Sequence, residues 1–315
     1  MSTAATAAAT VRFDAIGVPW SIETPAPLDP ELLGRVMARI EAFDATYSRF
    51  RDDSLVTQVA SSPTGGEFLF PDDSRVLFQL YDQLHVLSDG AVDPLVGRQL
   101  ELLGYDAAYS LRPVAPQDRG MAHDTQLRWS EDIHRDGTRI TTREPVVIDV
   151  GAAGKGYLVD LVLDLLRDGG VDDVVVDASG DLRHHGPGVT RVGLEHPTRP
   201  DHVVGAAPLQ NQALCASAVT RRAWGDGLHH VLDPRNGIPT RDILATWVVA
   251  DAAAVADGLA TALFLIDPPA LASGFDFAFV RMRSDGHLEA SAHFPGDLFA
   301  PDSHLHLVHH QGERP

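Results

Sequence analysis

The pattern of apolar and polar positions is clearest between residues 147 and 181, where it predicts a strand, a loop, a helix and a second strand. A β-branched run at 146–148 predicts a buried strand that ends at Asp149. Apolar residues then recur at helical spacing over 158–166, and two glycines follow, as is typical of a helix end. The valines at 174–176 predict the next buried strand. This order places a loop and a helix N-terminus directly after a buried strand.

The loop between strand and helix consists of small residues and one cation. Residues 151–154 are Gly-Ala-Ala-Gly, which lets a backbone approach a ligand closely, and Lys155 places a positive charge at the mouth of the helix. Together these features suit a phosphate or pyrophosphate. The loop is not of the Walker A type, because Asp149 stands at the first glycine position and Gly156 stands where Ser or Thr should follow the lysine. The alternative is a tight strand-to-helix turn that binds no ligand.

The remaining patterns predict a mixed α+β fold with packed helices and no linker long enough to separate independent domains. We expect a disordered N-terminus at 1–10, one domain at 11–300 and a His-rich flexible tail at 301–315. The other predicted elements are a first strand at 13–22 with a turn or bulge at Gly17, helices at 29–43, 71–87 and 252–266, a strand at 246–250, and hairpins at 126–142 and 275–294.

The charge balance excludes several classes of partner. The 315-residue chain carries 44 Asp and Glu against 25 Lys and Arg, a formal net charge of -19, which repels nucleic acids and anionic membranes. Its single cysteine, Cys215, excludes an internal disulfide and a Cys-based zinc site. The first residues show no signal peptide and no cysteine for a lipid anchor, and no run of about 20 apolar residues occurs. We therefore expect a cytoplasmic protein.

The apolar helix predicted at 252–266 has one carboxylate and one hydroxyl on the same face. Asp257 and Thr261 are spaced i, i+4, so they lie one turn apart. A carboxylate in a helix otherwise fit for burial needs a compensating partner. Two oxygen ligands with open positions for phosphate oxygens suit Mg²⁺. The alternative is a buried Asp257 paired with Lys or Arg and a Thr261 bonded to its own helix backbone.

A histidine pair precedes an Asp-Pro turn in HHVLDPRNGIP, at 229–239. His230 in this position suits a general base aimed at a cleft. The alternatives are a structural role for His230, or His229 as the exposed histidine of the pair. The neighbouring Arg221 and Arg222 suit either an anion contact or a solvated surface.

Six segments in series resemble the ApbE family of FAD:protein FMN transferases, in the family's order and at its usual intervals. They are SRFRDDS at 48–54, DGAVDP at 89–94, IDVGAAGKGYLVD at 148–160, VDASGDLR at 176–183, HHVLDPRNGIP at 229–239 and ADGLATALFLI at 256–266. The resemblance extends from Phe13 to Phe294, nearly the whole chain. It implies an ApbE-like α+β fold of mixed sheets with packed helices, in two intimate subdomains with the flavin site between them.

The resemblance also implies a Mg²⁺-dependent enzyme that cleaves the pyrophosphate of its substrate FAD. The enzyme would attach FMN through a phosphoester bond to a Thr or Ser of an acceptor flavoprotein and release AMP. By position, the metal ligands would be Asp257, Thr261 and the backbone carbonyl of Ala152, and His230 would activate the acceptor hydroxyl. Asp257 and His230 are thus the expected catalytic residues. The positions expected near the flavin nucleotide are Ile16, Phe50, Ala91, Val92, Asp93, Asp149, Lys155 and His230.

The chain departs from the family pattern at several expected FAD contacts. The family's Met-Gly-Thr near the N-terminus is Ile-Gly-Val at 16–18, its Thr-Ser-Gly before the histidines is Ala-Ser-Ala at 216–218, and the Phe of its Phe-Asp-Pro is Val92. The metal and base positions are kept. Two other functions therefore stay open: a Mg²⁺-dependent FAD pyrophosphatase that yields FMN and AMP, and a flavin-binding protein that has lost turnover.

Overall fold

The structure is a computed structural model that describes residues 9–115, 127–299 and 304–308. Its strands are β1 Ala9–Ala15, β2 Val18–Thr24, β3 Gly66–Leu69, β4 His134–Asp136, β5 Arg139–Thr142, β6 Val174–Asp177, β7 Asp181–His185, β8 Thr190–Glu195, β9 Val203–Leu209, β10 Ala213–Ala218, β11 Ala223–Trp224, β12 Leu228–His229, β13 Leu232–Asp233, β14 Ile238–Pro239, β15 Ile243–Ala250, β16 Ala278–Arg283, β17 Leu288–Ser291, β18 Asp297–Leu298 and β19 Leu305–Val308. Its helices are α1 Pro30–Tyr47, α2 Leu55–Ala60, α3 Ser74–Leu87, α4 Gly97–Leu102, α5 Trp129–Asp132, α6 Gly154–Asp168, α7 Ala253–Ala262 and α8 Pro268–Ala272, with 3-10 turns at Pro94–Val96 and Val219–Arg222.

A nine-stranded sheet within these residues organises the molecule, in the order β1-β2-β6-β7-β10-β15-β16-β17-β19. All of its pairings are antiparallel except that of β17 with β19. One face packs against the helical layer that includes α1, α3, α6 and α7, and the other packs against β8 and β9 of a smaller three-stranded sheet. The α+β prediction is therefore confirmed.

The apolar run at 146–148 was predicted as a strand, and that prediction is wrong. Its residues are buried, between 1% and 5% exposed, yet they belong to no sheet. The segment instead runs against α4, where Val147 packs on Gly97, and the Asp149 N–H donates to the carbonyl oxygen of Pro94 at 2.7 Å. A short apolar run predicts that a segment is buried, but it does not predict which backbone the segment pairs with. The pattern therefore could not distinguish a strand from a buried extended segment.

The other predicted elements fare better. Helices α6 and α7, strand β15 and the hairpin of β16 and β17 are confirmed, and the first predicted strand is a hairpin that turns at Ile16-Gly17. Part of the tail predicted as flexible forms an edge strand, because Leu305–Val308 pairs with β17. The predicted disorder at 1–8, part of the segment before β4, and residues 309–315 lie outside the described residues. Across the described ranges, no helix is long and apolar enough to cross a bilayer.

Helices α6 and α7 approach each other at a glycine. A Cβ on Gly156 would lie 2.2 Å from the carbonyl oxygen of Ala253 and 2.7 Å from the Cβ of Asp257. Only a residue without a side chain therefore fits, and the close approach fixes the first turn of α6 against α7.

We predict that Gly156→Ala lowers the free energy of unfolding by about 1–3 kcal/mol, because the added methyl group forces the two backbones apart. Chemical denaturation measures this change. The matched control is Gly34→Ala in α1, where no atom lies within 4 Å of the added Cβ. That variant should gain up to about 1 kcal/mol from helix propensity. Equal effects at both positions would contradict the close-contact account.

Candidate active site

The loop before α6 and the middle of α7 meet through two hydrogen bonds. The Gly156 N–H donates to Asp257 Oδ2 at 2.9 Å, and Thr261 Oγ1 donates to the carbonyl oxygen of Ala152 at 3.3 Å. Thr261 thus reaches across to the loop, so the alternative in which it bonds its own helix backbone does not describe this structure. The three residues proposed as metal ligands are brought together.

Lys155 forms its ion pair with Asp181 at the start of β7, and its charge also acts on Asp257. Its Nζ forms an ion pair with Asp181 Oδ2 and also donates to the carbonyl oxygen of Ala178 at 3.2 Å. Asp181 is 1% exposed, and its Oδ1 has no hydrogen-bond partner among the described residues. Burial alone would lower the pKa of Lys155, but the charges of Asp181 and Asp257 outweigh it and raise that pKa.

Two buried carboxylates therefore share one lysine. Burial and then the negative charge of Asp181 raise the pKa of Asp257 well above its usual value, and Lys155 only partly opposes this. With both carboxylates ionised, Asp181, Asp257 and Lys155 carry one uncompensated negative charge. A buried charge of this kind is costly unless a cation or a proton neutralises it.

The residues at this point fit a magnesium ion. Asp257, Thr261 and the Ala152 carbonyl offer only oxygen atoms, which Mg²⁺ prefers, and the excess negative charge favours a cation. Among the described residues no cluster of three or more His, Cys, Asp or Glu side chains is arranged to hold a metal. A site here would therefore depend on one carboxylate, a hydroxyl and a carbonyl, and would leave coordination positions for substrate oxygens.

The two histidines of the pair have different environments. His229 uses both ring nitrogens, with Nε2 at 2.7 Å from the Thr240 carbonyl oxygen and Nδ1 accepting from the Val231 N–H at 3.3 Å. His230 Nδ1 is buried and has no hydrogen-bond partner within the described part of the chain. Burial and then the charge of Arg222 lower the pKa of His230 to about 4, so its imidazole is neutral at pH 7.

A group of charged and aromatic side chains adjoins His230. Arg49 Nε donates to Asp149 Oδ2 at 2.5 Å, and Arg49 Nη1 donates to the backbone carbonyl oxygen of Tyr105 at 2.8 Å. Arg222 Nη1 donates to the Tyr105 hydroxyl at 2.6 Å. The ring of Phe50, expected near the flavin nucleotide, meets the Tyr105 ring edge-on at 5.3 Å between centroids. Tyr105 thus contacts both arginines and packs against the ring of Phe50.

The N-terminal position expected near the nucleotide has an unusual backbone. Ile16 lies in the turn between β1 and β2 with a φ of 47°, in the left-handed region. This conformation is strained for a β-branched residue, and such strain is found disproportionately at functional sites. The contact of Ile16 with a nucleotide stays a prediction.

The expected contacts at 91–93 are buried. Ala91 and Val92 are 2% and 3% exposed. The Asp93 carboxylate accepts from the Leu95 N–H at 2.8 Å and from the Trp129 N–H at 3.1 Å. Its oxygens therefore already hold the turn at Pro94–Val96 in place, and a nucleotide would have to share them.

A cavity of about 340 Å³ lies beside the turn that precedes β7. Its lining includes Ser179, Gly180, Ser217, Arg221 and Trp247. Asp257, Thr261 and His230 do not line it. The cavity therefore adds a polar opening next to the Lys155 pair without containing the proposed catalytic residues.

Three residues of this site were not among the sequence-based site predictions: Arg49, Tyr105 and Asp181. Asp149 was predicted, but its pairing with an arginine was not. Asp181 had a signal, because an acidic residue directly after a Ser-Gly turn at a strand start stands in the segment at 176–183. Arg49 and Tyr105 had no periodic or spacing signal. Their contact exists only because the fold brings two distant segments together.

Comparison with known proteins gives the family. The sequence model of the ApbE family matches residues 16–276. The chain belongs to the ApbE family. Two relatives, from Rhodobacter capsulatus and Vibrio cholerae and both named FAD:protein FMN transferase, are 30% and 25% identical to it. The matches cover 74% and 78% of this chain, and 46% and 76% of those proteins, so the chain spans about half the length of the first relative.

Solved ApbE structures share the fold of this ApbE-family chain. The ApbE protein of Thermotoga maritima superposes with a TM-score of 0.81 at 24% identity, covering 91% of this chain and 98% of that one. The apo form of the flavinyl transferase ApbE of Pseudomonas stutzeri gives a TM-score of 0.77 at 25% identity, covering 93% and 98%.

We predict that Lys155→Met lowers the free energy of unfolding by about 3–5 kcal/mol, because it leaves the Asp181 carboxylate buried without its partner. The double variant Lys155→Met/Asp181→Asn should lose less than Lys155→Met alone. Denaturant unfolding of the single and double variants measures both changes.

The control is Arg139→Met, which breaks an exposed pair with Glu67 and should cost no more than about 1 kcal/mol. A double variant that is less stable than Lys155→Met would contradict the view that the unpaired carboxylate is the costly group.

Proposed function

We propose that this chain is a Mg²⁺-dependent FAD:protein FMN transferase that acts on a Thr or Ser of an acceptor flavoprotein. The observation that carries the proposal is the meeting of Asp257, Thr261 and the Ala152 carbonyl beside a lysine at a helix N-terminus. Oxygen ligands for a divalent cation, next to a fixed positive charge, suit the two phosphates of a dinucleotide. The names of the relatives support the same activity.

The proposed reaction exchanges the phosphoanhydride bond of the pyrophosphate for a phosphate ester bond. The acceptor hydroxyl oxygen forms a bond to the phosphorus of the FMN half, and the bond from that phosphorus to the bridging oxygen breaks. The bridging oxygen leaves with AMP, and the hydroxyl proton passes to His230. Atoms and charge balance without any oxidant or reductant.

His230 fits the role of the base that receives this proton. Because burial keeps its imidazole neutral at pH 7, the ring holds a free lone pair, and Nδ1 has no hydrogen-bond partner among the residues that the structure describes. Lys155 would hold pyrophosphate charge, and its pair with Asp181 fixes where its ammonium group lies. Asp257, Thr261 and the Ala152 carbonyl would hold Mg²⁺, which when bound neutralises charge on the phosphate oxygens.

The test is AMP release from FAD, followed by chromatography, together with mass spectrometry of an unmodified acceptor flavoprotein from the same cells. We expect covalent FMN on the acceptor and AMP in equal amounts, both lost with a chelator. Asp257→Ala should reduce AMP release by about 100-fold or more, because it removes the only side-chain carboxylate of the proposed metal site. Arg191→Met breaks an exposed pair with Asp297 on the three-stranded sheet of β8, β9 and β18. It should release AMP as the unmodified protein does.

Other outcomes of this experiment would favour one of the two alternative functions. AMP release without FMN on the acceptor would favour a FAD pyrophosphatase. Tight FAD binding with no AMP at any Mg²⁺ concentration would favour a flavin-binding protein. Full activity of Asp257→Ala would contradict the metal assignment.

The pH dependence should report His230. Its pKa is lowered to about 4 in the folded protein, against 6.5 for an ordinary histidine, so the base is available until the pH falls towards 4. Arg222 and His229 act in the lowering direction, and Asp149 opposes them. We predict that kcat/KM for FAD, measured with acceptor, falls on the acid side only near pH 4. His230→Gln should lower kcat by about 100-fold or more across the pH range.

The same shift has a consequence for stability. The folded state disfavours the charged imidazole. The stability that the neutral imidazole of His230 contributes is therefore complete above pH 6.5 and is lost as the pH falls from 6.5 towards 4.

A fall in kcat/KM at about pH 6.5, in an enzyme that is still folded, would contradict His230 as the base.

A further inference from the structure

Arg49 and Arg222 hold their guanidinium groups on the two ends of one tyrosine. Arg49 donates to the Tyr105 backbone carbonyl, and Arg222 donates to the Tyr105 hydroxyl. The guanidinium carbon of Arg49 lies 4.9 Å from the centre of the Tyr105 ring, and that of Arg222 lies 5.9 Å from it. Trp224 stacks on this ring with centroids 5.5 Å apart, which keeps Tyr105 in position.

The group contains hydrogen-bond donors that the described residues do not use. Arg49 is 6% exposed, yet its Nη2 has no hydrogen-bond partner among the described residues. No second hydrogen bond within those residues holds the guanidinium of Arg222, beyond the one to Tyr105. The buried Nδ1 of His230 also lacks a partner there, and its backbone N–H donates to the Arg222 carbonyl oxygen at 3.3 Å. Buried polar atoms without partners are rare in folded proteins, so the two such atoms here, Arg49 Nη2 and His230 Nδ1, indicate a missing ligand.

The charge of this group indicates the sign of that ligand. Arg49 and Arg222 carry two positive charges, and Asp149 carries one negative charge, since Arg49 outweighs burial and lowers the pKa of Asp149. These three side chains together therefore carry one uncompensated positive charge. Asp106, whose carboxylate also acts on Arg49, is only partly buried and accepts from the N–H groups of Ala108 and Ser110. An anion is the partner that the arginine group lacks.

One short loop connects the two groups, that of the arginines and that of Asp257. Asp149 stands at the start of the loop that precedes α6, and Gly156, whose N–H donates to Asp257, follows that loop. The Tyr81 hydroxyl accepts from the Ala153 N–H at 3.2 Å, inside the loop that joins Asp149 to α6. The anion position thus lies at the Asp149 end of the loop, and the cation position lies at its other end.

We propose that Arg222 and Arg49 form a subsite for the phosphoryl group of the FMN half, the group that is transferred. The proposal rests on the transferase function proposed above. Guanidinium groups bind phosphate oxygens through paired N–H donors, and His230, which borders the subsite, must lie close to the phosphorus that its activated hydroxyl attacks. Arg222 contacts the phosphoryl group, while Tyr105 is a positioning residue that orients Arg222 through its hydroxyl.

The experiment compares the binding of FMN and riboflavin, which differ only by the phosphoryl group. Flavin fluorescence during titration measures both affinities without turnover, acceptor or Mg²⁺. Arg222→Met should weaken FMN binding by about 10- to 100-fold, the value of one charge-assisted contact, and leave riboflavin binding unchanged. Tyr105→Phe should weaken FMN binding less, also without effect on riboflavin, and Arg222→Lys should recover part of the loss by restoring the charge. Arg191→Met is the control that removes an equal charge far from the subsite.

Each outcome decides the proposal. Equal FMN affinity in Arg222→Met and the unmodified protein, or an equal loss for riboflavin, would overturn it. A parallel titration with AMP and adenosine tests the other phosphate, and a loss confined to AMP would move the subsite to the leaving group and overturn the assignment to FMN. Because these affinities need no transfer activity, a protein that binds FMN through Arg222 but releases no AMP would contradict the proposed function alone.

Discussion

The site depends on two buried carboxylates that share one lysine. Asp181 and Asp257 come from a strand and a helix that are far apart in sequence, and Lys155 lies at the start of another helix. Because water cannot stabilise charge at this depth, the three side chains must be held close together or the fold pays for an isolated ion. The pair with Lys155 satisfies Asp181 in part, and the raised pKa of Asp257 indicates that its ionised carboxylate would be stabilised by a cation.

The helices around this charge group are held by backbone contacts as much as by apolar packing. Helix α7 has no side-chain cap of its own at its N-terminus. Instead, Asp160 of α6 accepts from the Ala253 N–H at 2.8 Å and from the Ala254 N–H at 2.9 Å, and it is bound in turn by Arg183 at 2.7 Å. Unsatisfied N–H groups at a buried helix start are costly, so this cap sets the position of α7 against α6. It thereby fixes Asp257 opposite the loop.

The sequence predicted the elements of this site better than its connections. The apolar periodicity around Asp257 and Thr261 required a helix with one polar face, and that helix is present. The run at 146–148 did not become a strand, and its neighbour in space is α4, where Val147 packs on Gly97. Lys155 contacts Asp181, and Arg49 contacts Tyr105, between segments that are separated in the sequence. No local sequence pattern indicates such contacts.

The arginine group lies at one end of the loop before α6 and the two carboxylates lie at the other end, so the site is asymmetric. FAD carries a pyrophosphate, and the arrangement would bind its two phosphates differently, with the cation position and Lys155 at one end and the arginines with His230 at the other. Such a division places the base next to only one phosphorus. It would make the enzyme transfer FMN to the hydroxyl and discard AMP.

Calorimetric titration of Mg²⁺ into the protein, alone and with ADP to supply phosphate oxygens, tests the central claim most directly. The Asp257 carboxylate, which forms no ion pair within the described residues, predicts one Mg²⁺ per chain, with binding lost in Asp257→Asn and kept in Arg191→Met. Equal Mg²⁺ affinity in Asp257→Asn and the unmodified protein, or no binding to the unmodified protein with ADP present, would contradict the account.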